Sequence, residues 1–207
     1  MGINEALDLL ELHYSGFHAV AGYALITGHT VPSDTKSWSE IFISLLTEIR
    51  GRERQKGSDL VDGSDVKAAN VWEAIDTPRF NGVLPAGRKS AKSKKPADVT
   101  ALDDIPYLFF VLWDHEPDSR RERVRVWVVR PPTDPEFRKM ASGWYADTST
   151  SRNFQLHPPR NENSNVIRNS WGNLEYPLLF CAVRQHGQYH VETYNEEAMH
   201  TGVCRPV

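Results

Sequence analysis

The stretch Lys56-Gly57-Ser58-Asp59-Leu60-Val61-Asp62-Gly63-Ser64-Asp65-Val66-Lys67-Ala68 decides how this chain of 207 residues is read. Asp62-Gly63 is a strong short-range turn signal between two segments able to run as strands. Side chains on a strand alternate with period two, so Asp65 and Lys67 project from one face and Val66 from the other. Whether Asp59 joins them depends on the turn. A two-residue loop pairs Asp59 with Val66 and sends its carboxylate to the opposite face. A three-residue loop with Gly63 left-handed in a bulge pairs Asp59 with Lys67 and collects Asp59, Asp65 and Lys67 on one face. A first strand that ends irregularly around Asp59 allows the same gathering. The competing reading is a solvated hairpin whose acids merely favour the turn.

Two carboxylates and an ammonium on one face suit a hard divalent cation. Mg²⁺ takes oxygen ligands and keeps several waters, so one or two carboxylates plus a substrate phosphate oxygen complete its octahedron. A metal held this way lowers the pKa of a bound water and offsets charge on an attacked phosphorus. Lys67 is then placed to orient the attacking water or to contact the phosphate. Upstream, Ser37 to about Arg54 has the spacing of an amphipathic helix, with Trp38, Ile41, Phe42, Leu45, Leu46 and Ile49 on its apolar stripe. Glu48 falls close to that stripe, near the end that feeds the turn, where its carboxylate either reaches a metal or stays on the surface.

A helix with Glu48, then Gly57-Ser58-Asp59, then Asp65-Val66-Lys67, resembles the PD-(D/E)xK nuclease core of type II restriction endonucleases and DNA repair nucleases. Gly57-Ser58-Asp59 departs from the Pro-Asp half of that motif, and the linker of five residues between Asp59 and Asp65 is short. The continuation from Ala68 to Asn81, with Trp171-Gly172-Asn173, is further similar to MamI-type restriction endonucleases. The resemblance implies Mg²⁺-dependent hydrolysis of double-stranded DNA. It implies Asp59 and Asp65 as metal ligands, the Val66 carbonyl as a third donor, Lys67 as the catalytic lysine, and Glu48 as an accessory carboxylate. It also implies a homodimer, since a two-fold assembly is the simplest way to cut both strands of a palindrome.

The formal charge of −3 excludes a uniformly basic nucleic-acid binder. Charge is nevertheless uneven. From Thr77 to Ala97 the chain carries Arg79, Arg88, Lys89, Lys92, Lys94 and Lys95 without an acid, a strip suited to a phosphate backbone. Residues 148–173 are rich in groups that reach base edges, among them Arg152, Asn153, Gln155, Arg160 and Arg168, and form the candidate DNA-recognition segment. Taken as structure alone, both stretches read as ordinary polar loops.

The remaining segments read as α/β, with a mixed central sheet flanked by helices, in one endonuclease domain over residues 1–207. Asn4 to about Tyr23 reads as helix. Tyr107 to Asp114 is a nearly continuous apolar strand of the kind buried on both faces. Arg123 to Val129 alternates Val124, Val126 and Val128 with Arg123, Arg125 and Trp127, so it pairs back as a hairpin with its arginines on an outward charged face. Pro135 begins a helix, and Pro177 to Val183 and Tyr189 to Tyr194 are further strands. Two cysteines give no disulfide framework. No apolar run is long enough to span a bilayer and no signal peptide opens the chain, which points to the cytoplasm. The function classes left are a sequence-specific restriction enzyme, a repair or structure-specific nuclease of the same fold, and a non-catalytic DNA-binding protein.

Overall fold

The apolar run that follows Pro106 is the spine of the molecule. In a computed structural model, which describes residues 2–27, 34–52, 57–71, 78–84, 99–116, 121–147, 153–161 and 163–207, it is a strand covered on both sides. The elements in chain order are α1 (Ile3–Thr27), α2 (Lys36–Thr47), β1 (Asp65–Asn70), β2 (Phe80–Leu84), a 3₁₀ turn (Val99–Leu102), β3 (Leu108–Glu116), β4 (Arg121–Val129) and α3 (Pro135–Ala146). They continue through β5 (Phe154–Leu156), β6 (Val166–Asn169), β7 (Gly172–Glu175), β8 (Leu178–Gln185), β9 (Gln188–Tyr194), the short α4 (Glu197–His200) and β10 (Arg205–Pro206).

The central sheet has the order β1-β3-β4-β8-β9. β1 runs parallel to β3 and the other neighbours are antiparallel, so the sheet is mixed as its sequence suggests. Alternation divides the core in two. Leu108, Phe110, Leu112, Trp127 and Val129 face a layer made of α3 and the small sheets β2-β5 and β10-β7-β6. Phe109, Val111, Trp113, Val124, Val126 and Val128 face α1, α2 and α4. The architecture is α/β, with a mixed central sheet and flanking helices, and it agrees with a restriction-endonuclease-like core.

Helix α2 is fixed to the sheet by apolar burial and by one polar contact. Phe42, Ile43 and Leu46 are buried, and burying such a side chain contributes about 1.5–3 kcal/mol. Ser39, buried beneath them, donates to the Thr35 carbonyl at 2.8 Å and accepts from Trp113 Nε1 at 2.8 Å. This ties the first turn of the helix to β3. The helix is shorter than its periodicity predicts, ending at Thr47 because Glu48 enters the left-handed region at φ 60°.

The hairpin anticipated around Asp62-Gly63 does not form. β1 takes its partner from β3, with Asp65 N–H donating to the Tyr107 carbonyl at 3.0 Å, while Leu60 bridges back to Gly51. Leu60 to Ser64 is instead a tight loop with Gly63 at φ 100°. Asp62 closes it, accepting from Ser64 N–H at 2.9 Å and from the Ser64 hydroxyl at 2.8 Å. Its carboxylate is occupied by the turn.

Arg123 and Arg125 are not on an outward face. Both are buried, because Asp114 lies across the β3–β4 ladder and accepts from both guanidiniums. Arg125 also donates to the Ser164 carbonyl at 2.9 Å, and Trp127 Nε1 donates to Asn165 Oδ1 at 3.1 Å. Part of the segment expected to read DNA thus roofs this end of the sheet.

Candidate active site

β1 is an edge strand, and that places the candidate site. A residue's N–H and C=O point to the same side of its strand. Asp65 N–H is spent on β3, so Val66 presents its backbone to the open edge. There Asp59 meets it, its Oδ2 accepting from Val66 N–H at 2.9 Å. Asp59 arrives from the irregular loop, the second of the two geometries that allow convergence. The Val66 carbonyl faces the same edge.

Asp59 and Asp65 are in side-chain hydrogen-bond contact with each other. The Lys67 ammonium lies 2.6 Å from Asp65 Oδ2. Asp59, Asp65 and Lys67 therefore form one cluster, with Asp65 and Lys67 side chains only 15% and 16% exposed. Burial, and then the neighbouring Asp59, push the Asp65 carboxyl up to about 7, against the pull of Lys67. Burial also raises Asp59, but its bonds to Asp65 and Val66 and the charges of Lys67 and Lys36 more than offset this and hold it below the ordinary value. Two acids in one partly dry place cannot both ionise cheaply, so below about pH 7 they hold a proton between them.

Two further residues belong here that were not singled out from the sequence. Lys36, in the first turn of α2, has its ammonium 3.2 Å from Glu40 Oε1 and 4.0 Å from Asp59 Oδ1. Its pKa is raised, chiefly by Glu40. The spacing of Lys36 and Glu40 is a plain i,i+4 pair; nothing local says that α2 points this end at Asp59. Glu48 is at the other end. The twelve residues of α2 span about 18 Å, and Glu48 is exposed beside Tyr194, whose hydroxyl it helps to hold above its ordinary pKa after burial and Glu196. The structure does not bring Glu48 to the carboxylate pair.

A cleft of about 240 Å³ opens beside the cluster, lined by Asp34, Thr35 and Lys36, the strand from Val66 to Asn70, and Asn81 of β2. β2 pairs with β5, and His157 bridges to Arg168 of β6, so part of residues 148–173 joins the strand that lines the cleft. Gln155 reaches Asn81, and Asn153 is exposed near Gly82. Arg168 donates to the Pro158 carbonyl, and its pKa is lowered by burial and then by the neighbouring Arg160. Arg79 is half-buried just before β2. Arg88, Lys89, Lys92, Lys94, Lys95 and Arg152 lie outside the described residues.

Comparison with known proteins adds the family. The model of the MamI restriction endonuclease family matches residues 22–189, a span that contains the whole cluster and the cleft. The chain belongs to the MamI restriction endonuclease family. Within it, the chain is 30% identical over 170 residues to the type II restriction enzyme MamI of Microbacterium ammoniaphilum. That similarity covers 77% of this chain and 55% of the length of MamI, so the chain spans little more than half of its relative. No solved structure matches the chain.

The donor set fits a magnesium-type ion better than a closed metal centre. Among the described residues no group of three or more His, Cys, Asp or Glu is arranged to hold a metal. Two carboxylates and a backbone carbonyl at an open edge are instead what an ion that retains water and takes a phosphate oxygen requires. Among the described residues no helix is long and apolar enough to cross a membrane.

Proposed function

We propose that this protein is a Mg²⁺-dependent type II restriction endonuclease that hydrolyses phosphodiester bonds in double-stranded DNA at a specific sequence. The observation that carries the reading is the contact of Asp59, Asp65 and Lys67 at the open edge of β1, within a span that matches a restriction endonuclease family. Asp59 and Asp65, with the Val66 carbonyl, would hold Mg²⁺. Bound there, the ion lowers the pKa of a water and offsets charge on the scissile phosphate.

The chain's own groups do the rest. Asp59 is held in place by Val66 N–H, which fixes its carboxylate at the open edge of β1. Asp65 would serve such a cation as a carboxylate, without the proton it otherwise shares with Asp59. Lys67 then turns from Asp65 to the substrate, where its ammonium orients the attacking water or steadies the phosphate. Arg79, Asn153, Gln155, Arg160 and Arg168 contact DNA beside the cleft, and Arg88, Lys89, Lys92, Lys94, Lys95 and Arg152 add positive or polar groups for the same DNA. Arg160 lies close enough to disfavour the charge on Arg168, and the two suit an anion between them. The protein acts as a homodimer, one copy to each strand.

The test is incubation with plasmid and phage DNA in Mg²⁺ and in EDTA. Discrete fragments that appear only with Mg²⁺ and vanish with Lys67→Ala are expected. Failure to cut any unmodified DNA, or cutting that survives Lys67→Ala, contradicts the proposal.

A further inference from the structure

The rim of the cleft carries a pair of amides whose geometry has its own cause. β2 and β5 are in register at Phe80 with Leu156 and again at Leu84 with Phe154, four steps along β2 against two along β5. The surplus is a bulge, and Gly82 within it sits at φ 59°, a left-handed conformation that favours glycine. Bulges re-aim side chains, and this one does so beside the cleft. Phe80, Val83, Phe154 and Leu156 are buried beneath, while Asn81 is exposed and Gln155 half-buried on the outer surface. Across the bulge, Gln155 Nε2 donates to Asn81 Oδ1 at 3.3 Å. Asn81 also lines the cleft that contains Lys67.

The bond fixes what the pair presents outward. Each amide has one acceptor oxygen and one two-proton donor nitrogen. With Gln155 Nε2 committed to Asn81 Oδ1, the outward groups are the Asn81 Nδ2 donors and the Gln155 Oε1 acceptor. One donor beside one acceptor is the complement of adenine in the major groove, which shows N7 as acceptor and the N6 amino group as donor. Because the two amides come from adjoining strands and brace each other, turning one alone breaks their bond, and turning both remakes it with one donor still beside one acceptor. Rigid support of this kind is what a base-reading contact needs and a phosphate contact does not.

We propose that Asn81 and Gln155 act as a single base-reading unit that selects an adenine of the recognition sequence on DNA lying across the cleft. The assignment rests on the nuclease reading for where the DNA lies, and adds which side chains choose the sequence. Asn81 and Gln155 are specificity residues; the bond-breaking groups are those at Asp59, Asp65 and Lys67.

The test separates selection from cutting. The full chain is mixed with a randomised double-stranded DNA library in Ca²⁺, bound duplexes are sequenced, and the same preparations are assayed for cleavage in Mg²⁺. The wild type is expected to enrich a motif containing adenine. Asn81→Ala and Gln155→Ala are each expected to reduce the preference at the same adenine position by about 10- to 100-fold, leaving the other positions of the motif. Gln155→Glu, nearly isosteric, removes the donor to Asn81 and is expected to flatten that position too, which guards against an effect of misfolding. The inference is overturned if the variants keep the wild-type motif, if they lose affinity evenly at all positions, or if the wild type enriches no motif. A wild type that enriches the motif but does not cut in Mg²⁺ sinks the nuclease reading and leaves the base-reading pair standing.

Discussion

Two acid–base clusters sit on the same face of the central sheet and have opposite characters. At one, on β1, two carboxylates crowd together beside Lys67, and below about pH 7 a shared proton makes up the missing positive charge. At the other, across β3 and β4, one carboxylate serves two guanidiniums, and the segment around Ser164 closes over it. The first is short of cation and lies at an open strand edge beside a cleft. The second pairs its guanidiniums with Asp114 and lies in the interior of the sheet. Similar residue types therefore give an open cluster, the metal site of our proposal, in one place and a structural lock in the other. Charge balance and access decide which.

The contrast breaks most visibly at the lock. Asp114→Ala leaves two guanidiniums buried without their carboxylate, and removal of one partner from a buried pair costs roughly 3–5 kcal/mol. A fall in thermal midpoint of about 10 °C is expected, read by circular dichroism. A midpoint within a degree or two of wild type would mean that the arginines are solvated after all.

Lys67→Ala probes the open cluster through rate. Loss of one preorganised charge at a reacting centre typically lowers turnover by about 10²–10³-fold. Single-turnover plasmid cleavage in Mg²⁺ measures it, and a loss of less than about 5-fold would deny Lys67 a part in the chemistry.

Asp65→Asn sharpens the comparison, because here removing a charge is expected to stabilise. A carboxyl whose folded pKa, about 7, lies above its ordinary 3.8 keeps a proton that the unfolded chain has lost. Stability of the metal-free protein therefore falls as pH rises between those values, and the whole penalty stands above about 7. The lowered pKa of Asp59 returns part of it. At pH 8 in EDTA the variant should be more stable than wild type by about 1–2 kcal/mol, with the difference shrinking toward pH 4. Equal stability at both pH values would remove the shared proton from the account.

The smallest effect is expected away from both clusters. Glu48 adopts φ 60° at the end of α2, where a side chain costs about 1 kcal/mol relative to glycine. Glu48→Gly should raise the urea midpoint slightly while cleavage follows wild type. A large loss of cleavage would place this carboxylate back at the metal.

What the sequence disclosed follows the range of its signals. Val124, Val126 and Val128 announce a strand by alternation, and Asp65 and Lys67 share a face by the same rule; both need only neighbours two residues apart. The partner of β1 is beyond such reach, because the strand beginning at Leu108 carries nothing that points to Asp65 in parallel register. The local turn signal at Asp62-Gly63 therefore suggested a hairpin where the chain makes a loop, although Gly63 is left-handed as a bulged turn requires. Lys36 and Glu40 were not singled out, because their approach to Asp59 depends on how α2 docks through Ser39 on Trp113. Alternation also misplaced Arg123 and Arg125. It distinguishes two faces of a strand, but only tertiary packing shows that both are covered.

Plasmid nicking measured side by side for the wild type and Asp65→Asn, as Mg²⁺ is raised from zero, tests the central claim most directly. The wild type should cut with a rate that rises and saturates with Mg²⁺, and the variant should stay uncut throughout although it folds as well or better. A variant that cuts like wild type, or a wild type whose cutting is unchanged in EDTA, would contradict the claim that these carboxylates hold the ion on which hydrolysis depends.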